Sequence, residues 1–288
     1  EAFESYTEAI VIFRRLGIRR SEAFALSSLG VALTTNGLYE DAITVFRASI
    51  HIDRETGDRL RLGRKLSNVG QLYDTLGDPA TGLAFVQRAL DVFEAVDDRA
   101  GRCDALSAIA EMMLEKGEDP GAAGVPLDQA RRIASRLGSN YELARERLVR
   151  AQLEHARGRL DRAAEAARST IEAARREGLV AFELHALARL AAVKSASGDD
   201  DASSVAREVA VRLREGAAVE RAERLWLLIA ETLRGAGDEA GANDALEHAG
   251  AVVAAKAEAI RSEGLRTAFL STRDALAARG PSGSRPRA

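Results

Sequence analysis

Apolar positions recur along this chain at i, i+3, i+4 and i+7 spacing, which gathers them on one face of a helix. Leu26, Leu29, Gly30 and Leu33 form one such set, and Ala42, Phe46 and Ser49 form the next. Forty residues further on the pattern returns as Leu66, Val69, Gly70 and Tyr73, followed by Gly82, Val86 and Ala89. Glycines punctuate it: Gly37, Gly77, Gly117, Gly158, Gly198 and Gly237 lie 40, 40, 41, 40 and 39 residues apart. Gly17, Gly57, Gly138, Gly178 and Gly216 interleave with them, and Asp97 stands where a further glycine would fall. A glycine just past an apolar helical run adopts the left-handed conformation that closes off the last carbonyls, so each rung reads as a helix stop. The pattern predicts a two-helix unit repeated six times, which is a solenoid.

A small residue recurs in mid-helix at Gly30, Gly70, Ala110, Ala151, Ala191 and Ala230. Another opens each second helix: Ala2, Ala42, Gly82, Ala123, Ala163, Ala202 and Ala242. Mid-helix glycine costs up to ~1 kcal/mol of propensity, so its use is steric and a neighbouring helix must come close. These positions resemble the tetratricopeptide (TPR) repeat, in which Trp, Leu-Gly, Tyr, Ala, Phe and Ala recur in a helix–turn–helix. The last unit carries the pattern as Trp226, Ile229, Ala230, Leu233, Gly237, Ala242, Leu246 and Ala249. The likeness runs from Glu1 to Lys256, with a period of 40 in place of the usual one of about 34. In that respect it is similar to the longer repeats of bacterial multidomain regulators and of kinesin light chains. HEAT and armadillo repeats have a comparable period but do not call for both small positions. The resemblance implies an all-α, right-handed superhelical solenoid of antiparallel helix pairs.

The register assigns residues 1–16 to the second helix of a truncated repeat and places repeats at 17–57, 58–97, 98–138, 139–178, 179–216 and 217–262. A C-terminal capping helix is expected at 263–279, and residues 280–288, rich in Gly, Pro and Ser, are expected to be disordered. Repeat 98–138 is irregular. Pro120 and Pro126 predict a loop over 118–126, the weakest point of the array, with the helix starting late near Pro126 or Leu127. Repeat 139–178 carries Arg147 and Arg150 where leucine is expected. Helix 1–16 lacks a partner on its amino-terminal side, so Phe3, Ile10 or Phe13 are expected to expose apolar surface and promote self-association. Leu265, Phe269 and Leu270 are expected to pack near Leu246 and Val253 as a cap.

The segment Arg266-Thr267-Ala268-Phe269-Leu270 resembles the linker before the caspase-like CHAT domain of bacterial TPR–CHAT proteins. It is less close to the array ends of multidomain bacterial Ser/Thr kinases and ATPases. The chain opens on Glu1 within a helical pattern and reads as a piece of a longer protein.

Composition narrows the function classes. With 41 basic and 44 acidic residues the net charge is −3, which gives no electrostatic reason to expect nucleic acid or an anionic membrane as partner. Paired arginines (Arg14-Arg15, Arg131-Arg132, Arg175-Arg176) fall near helix C-termini, where they complement the helix dipole. A single cysteine, Cys103, fits a reducing compartment, and a cytoplasmic location is expected. His51, His155, His185 and His248 lie in separate repeats with no metal-ligand spacing. No phosphate-binding glycine loop or nucleophile elbow occurs. Neither a cofactor, a metal nor a catalytic activity is expected.

In tetratricopeptide arrays the first helix of each unit lines the inner, concave groove. The resemblance therefore implies a groove surface made by Arg64, Ser67, Asn68, Gln71 and Asp74, then Asp104, Ser107, Glu111 and Glu115, then Arg145, Gln152 and His155. Unit one offers the blander Phe24, Ser27, Ser28, Val31 and Thr34. Asn68 falls where peptide-clamping arrays often place an asparagine. Amides there can bond the backbone of an extended peptide while charges select among ligands; the same residues also suit an ordinary solvated face. The expected function is a protein-interaction scaffold that binds a peptide or protein, the sensing or recruiting arm of a larger bacterial regulator. The alternative is a regulatory fragment of a CHAT-type peptidase or Ser/Thr kinase whose catalytic domain lies outside these residues.

Overall fold

The computed structural model describes residues 2–279, with side chains described from Phe3 to Ser271. The expected tail at 280–288 lies outside the described residues. Among the described residues the chain forms fourteen helices and no strand. In order they are α1 (Ala2–Arg15), α2 (Arg19–Thr35), α3 (Tyr39–Thr56), α4 (Arg59–Thr75), α5 (Pro79–Ala95), α6 (Arg99–Glu115) and α7 (Pro120–Leu137). There follow α8 (Asn140–Ala156), α9 (Leu160–Glu177), α10 (Val180–Ala196), α11 (Ala202–Arg214), α12 (Ala222–Gly235), α13 (Glu239–Ala259) and α14 (Glu263–Arg279). Consecutive helices pair antiparallel across short turns, as in a helical-repeat solenoid. The described chain divides into two compact units, one of residues 2–109 with 256–271, the other of 110–255 with 272–279.

Every glycine of the two ladders has positive φ, and so does Asp97, at +52°. After most stops a helix start follows within a few residues. Asp58, Asp78 and Asp119 cap α4, α5 and α7 by accepting from the backbone N–H of Arg61, Thr81 and Ala122. Asp98 and Asp238 likewise accept from Gly101 and Gly241 at 3.0 Å.

In unit 1 the mid-helix glycines are sites of close approach. A Cβ on Gly30 would lie 2.8 Å from the Phe46 ring. One on Gly70 would meet Val86 Cγ2 at 2.5 Å and the carbonyl oxygen of Gly82 at 2.7 Å. The Val86 methyl could turn aside, but α4 and α5 touch backbone to backbone at this point, and Gly70→Ala cannot displace the Gly82 carbonyl without moving a helix. It is expected to destabilise unit 1 by about 1–3 kcal/mol, read as a lower urea midpoint; an unchanged midpoint would show that the two helices can separate without cost.

Two local expectations fail here. Residues 120–126 are helical, because Asp119 is a good N-cap and Pro120 occupies the first helical position, where proline's missing N–H is no loss. Arg157 also donates to the Pro120 carbonyl at 2.7 Å. Pro126 does interrupt the helix interior, but Ala122, whose carbonyl loses its donor, is exposed to water. On α1, Ile10 is buried beside Ala23, Ala25 and Leu26, and Phe13 packs on the same cluster. The exposed apolar residues at this end are Val11, Ile12, Leu16 and Ile18.

The C-terminal segment also packs elsewhere than expected. Phe269 is fully buried in unit 1 with its ring 6.4 Å from that of Tyr39, while Leu270 is exposed. Glu40, in the first turn of α3, accepts from the backbone N–H groups of Arg261 and Ser262 at 2.8 and 2.9 Å. Arg261 reaches Asp41 at 2.6 Å. Burial works to raise the Glu40 carboxyl, but the two N–H groups and Arg261 hold it below its ordinary value. Leu246, the partner expected from sequence, packs within unit 2's own core.

Two of the three arginine pairs do more than face a helix dipole, while Arg131-Arg132 lie in the interior of α7 rather than at its end. Arg14 bonds the buried Glu22 at 2.8 Å, and Arg175 bonds Glu183 at 2.8 Å, each from the end of one helix to the first turn of the next.

Candidate functional site: a charged groove in unit 2

The implied groove residues fall into both units. In unit 1, Arg64 is exposed and Asn68 half-buried on α4. Ser67 is buried and accepts from Gln71 Nε2 at 3.4 Å, and Asp74 is buried beside Gly82 where α4 meets α5. Asp104 is half-buried on α6, and Ser107 is buried and donates to the Cys103 carbonyl at 2.9 Å.

In unit 2 the structure brings Glu111, Arg145 and Gln152 together. The first helices α8, α10 and α12 pack side by side, and with the end of α6 they line a cavity of about 70 Å³. Arg145 donates to Glu111 at 2.9 Å. Glu115 pairs with Arg224 and lies 3.5 Å from Arg221. Arg189 comes from α10 and joins the same lining, as does His185. His155 and Glu231 feel the Arg189 charge.

These groups crowd at the base of the groove, deep among protein atoms, while their tips reach water. Burial works to raise the Glu111 carboxyl, but Arg145, Arg221 and Arg224 outweigh it and hold it at about 2. Burial pushes His185 down to about 4 against the pull of Glu111. His155 falls to about 4 by burial, with Arg189 adding to the effect. Burial lifts Glu231 to about 7, opposed by Arg189 and Arg234. At neutral pH the histidines are therefore uncharged, Glu231 is near half-ionised, and Glu111 is ionised among the arginines.

Two residues in this groove depart from ordinary structure. Arg189 makes no hydrogen bond or ion pair among the described residues, although a guanidinium offers five N–H donors. Arg221 has φ +57° at the N-cap of α12. A non-glycine residue in that conformation costs roughly 1–2 kcal/mol, and its side chain is thereby aimed at Glu115.

His185, Arg189, Arg221, Arg224 and Glu231 were not among the implied site residues. Extending the register to units five and six would have found three of them: Arg145, His185 and Arg224 share one repeat position, and Gln152 and Glu231 share another. Arg221 has no such signal, because only its backbone conformation places it.

The titrations have a consequence for stability. The folded-state values of His155 and His185 lie below 6.5, so their contribution is lost as pH falls from 6.5 toward 4. Glu231 acts oppositely, since its value is raised above 4.5 and its contribution is lost as pH rises through about 7. Two groups outweigh one, so unit 2 is expected to lose stability from pH 6.5 to 4.5. The single tryptophan, Trp226, lies in this unit and reports its unfolding. His185→Asn should flatten the slope; an unchanged slope would place that histidine in solvent.

No protein-family model matches the chain, and no curated protein does. Solved structures do. A Rap protein complexed with competence and sporulation factor aligns over 96% of this chain and 86% of its own, at 13% identity and a TM-score of 0.66. BtubC (BKLC) from P. vanneervenii aligns over 88% of this chain and 90% of its own, at 15% identity and a TM-score of 0.55. The fold is thus that of TPR-like helical-repeat proteins. No described helix is long and apolar enough to cross a membrane.

Proposed function

We propose that the groove of unit 2 binds a protein or peptide partner and takes a carboxylate of that partner on Arg189. The observation that carries this is the Arg189 guanidinium, held deep in the groove without a hydrogen-bonding partner. Its nitrogens still reach water, so a ligand carboxylate would exchange that water for charge-assisted hydrogen bonds worth about 1.5–3 kcal/mol. The strained backbone of Arg221 supports the same reading, because local strain concentrates where binding requires a particular geometry. Glu111 and Glu115, interleaved with the arginines, suit a peptide with mixed polar groups better than a nucleic-acid backbone. A protein of this fold in complex with another factor is further support for partner binding. On this reading the array is the recruiting arm of a regulatory protein.

The test is fluorescence polarisation with a labelled peptide library whose members end in either a free carboxylate or an amide. Carboxylate-bearing members are expected to bind, and Arg189→Ala to weaken them roughly tenfold or more. Equal binding of acid and amide forms, or an Arg189→Ala protein that binds like the parent, would remove the proposal.

A further inference from the structure

Two core columns run through the first helices. One consists of Leu66, Leu106, Arg147, Leu187 and Trp226, the other of Val69, Ile109, Arg150, Leu190 and Ile229. The apolar members are all 1–8% exposed. In α8 alone both positions are arginine, and there the array opens a cavity of about 610 Å³ between α7, α8 and α9. It shares no residue with the groove that holds Arg189.

Six arginines and four carboxyl groups line this cavity, an excess of two positive charges. Arg150 pairs with Asp128 at 2.7 Å and Glu146 at 2.8 Å, while Arg159 and Arg157 approach Glu154 at 2.5 and 3.5 Å. The remaining three are Arg131 on α7, Arg147 on α8 and Arg162 on α9. Each comes from a different helix, and among the described residues none makes a hydrogen bond or ion pair.

Neighbouring units place leucine at the position of Arg147; arginine here adds a third positive charge to a lining that already holds Arg131 and Arg162, and like charges sharing one cavity repel unless an anion joins them. We propose that the cavity binds the phosphate group of a small phosphate ester. A phosphomonoester is a dianion with three equivalent oxygens, which matches both the excess charge of two and the supply of guanidinium donors from three helices. The volume is in the range of small-molecule sites. No aromatic side chain lines it, whereas Ser135 and Ser169 do, so the organic part is recognised through hydroxyl groups, as in a sugar, rather than by stacking.

Calorimetric titration of the whole chain with ribose 5-phosphate, inorganic phosphate and plain ribose at constant ionic strength tests this. Ribose 5-phosphate is expected to bind more tightly than inorganic phosphate, and ribose not at all. Arg147→Leu should weaken ribose 5-phosphate roughly tenfold or more without lowering the melting temperature, since it restores the residue found at equivalent positions. Should Arg147→Leu prove unstable, it no longer serves as a probe of binding. Arg131→Gln and Arg162→Gln, at exposed positions, then read binding independently. Absence of binding by both phosphates at millimolar concentration, equal binding of the two phosphates, or ribose 5-phosphate binding unaffected by all three substitutions would overturn it.

Discussion

Phe269→Ala is expected to destabilise unit 1 by about 3–5 kcal/mol, the cost of deleting a fully buried aromatic side chain from a packed site. Phe269 has no exposed surface and sits against Tyr39, and the chain just before it is pinned by the Glu40 carboxylate. The loss would appear in the urea-induced transition of the whole chain, followed by tyrosine fluorescence or by amide exchange in α3. Glu40→Gln supplies a second reading. The Glu40 carboxyl is held below its ordinary value, so its contribution to stability is present above the unfolded-state value and is lost as pH falls through the folded one. The substitution should remove that part of the acid sensitivity. If Phe269→Ala leaves the transition where it was, the segment 256–271 is not part of unit 1's cooperative fold.

Lys65→Met is expected to cost a similar amount, about 3–5 kcal/mol, because it strands a charge. Lys65 Nζ and Asp53 Oδ2 lie 2.5 Å apart with side chains only 3% and 1% exposed. Burial raises the Asp53 carboxyl and lowers the Lys65 amine despite their mutual attraction, so desolvation outweighs the pairing. The double replacement Lys65→Met with Asp53→Leu should therefore recover most of the loss or exceed the parent's stability. A double variant as unstable as Lys65→Met alone would show that the pair is a net stabilising interaction. The comparison is made on urea midpoints of the three variants.

Much of the fold was legible in sequence because its signals are local. A helix stop needs one residue that tolerates positive φ, and eleven glycines plus Asp97 supply it at regular intervals. The steric use of Gly30 and Gly70 was also legible, since a propensity cost repeated at one position points to close contact. Proline misled in α7. At Pro120 the Asp119 cap and the first-turn position remove the cost that proline carries in a helix interior. The groove was legible only in part. Glu111, Arg145 and Gln152 follow from the register, but their values as a site come from Arg189, Arg221 and Arg224, which other helices bring alongside.

The sequence by itself determined the helices, their stops, their pairing and the repeat that stacks them, because each depends on residues within one or two turns or on a fixed period. Tertiary structure alone decided three things. It placed Phe269 beside Tyr39 and closed Glu40 onto backbone N–H groups 221 and 222 residues away in the chain. It set Arg131, Arg147 and Arg162 around one cavity, and it left Arg189 unpartnered among charges from other repeats. Periodicity says which face of a helix is buried, but it carries no information on which distant side chain will share that space. Charge balance at a point is a sum over all helices that reach it.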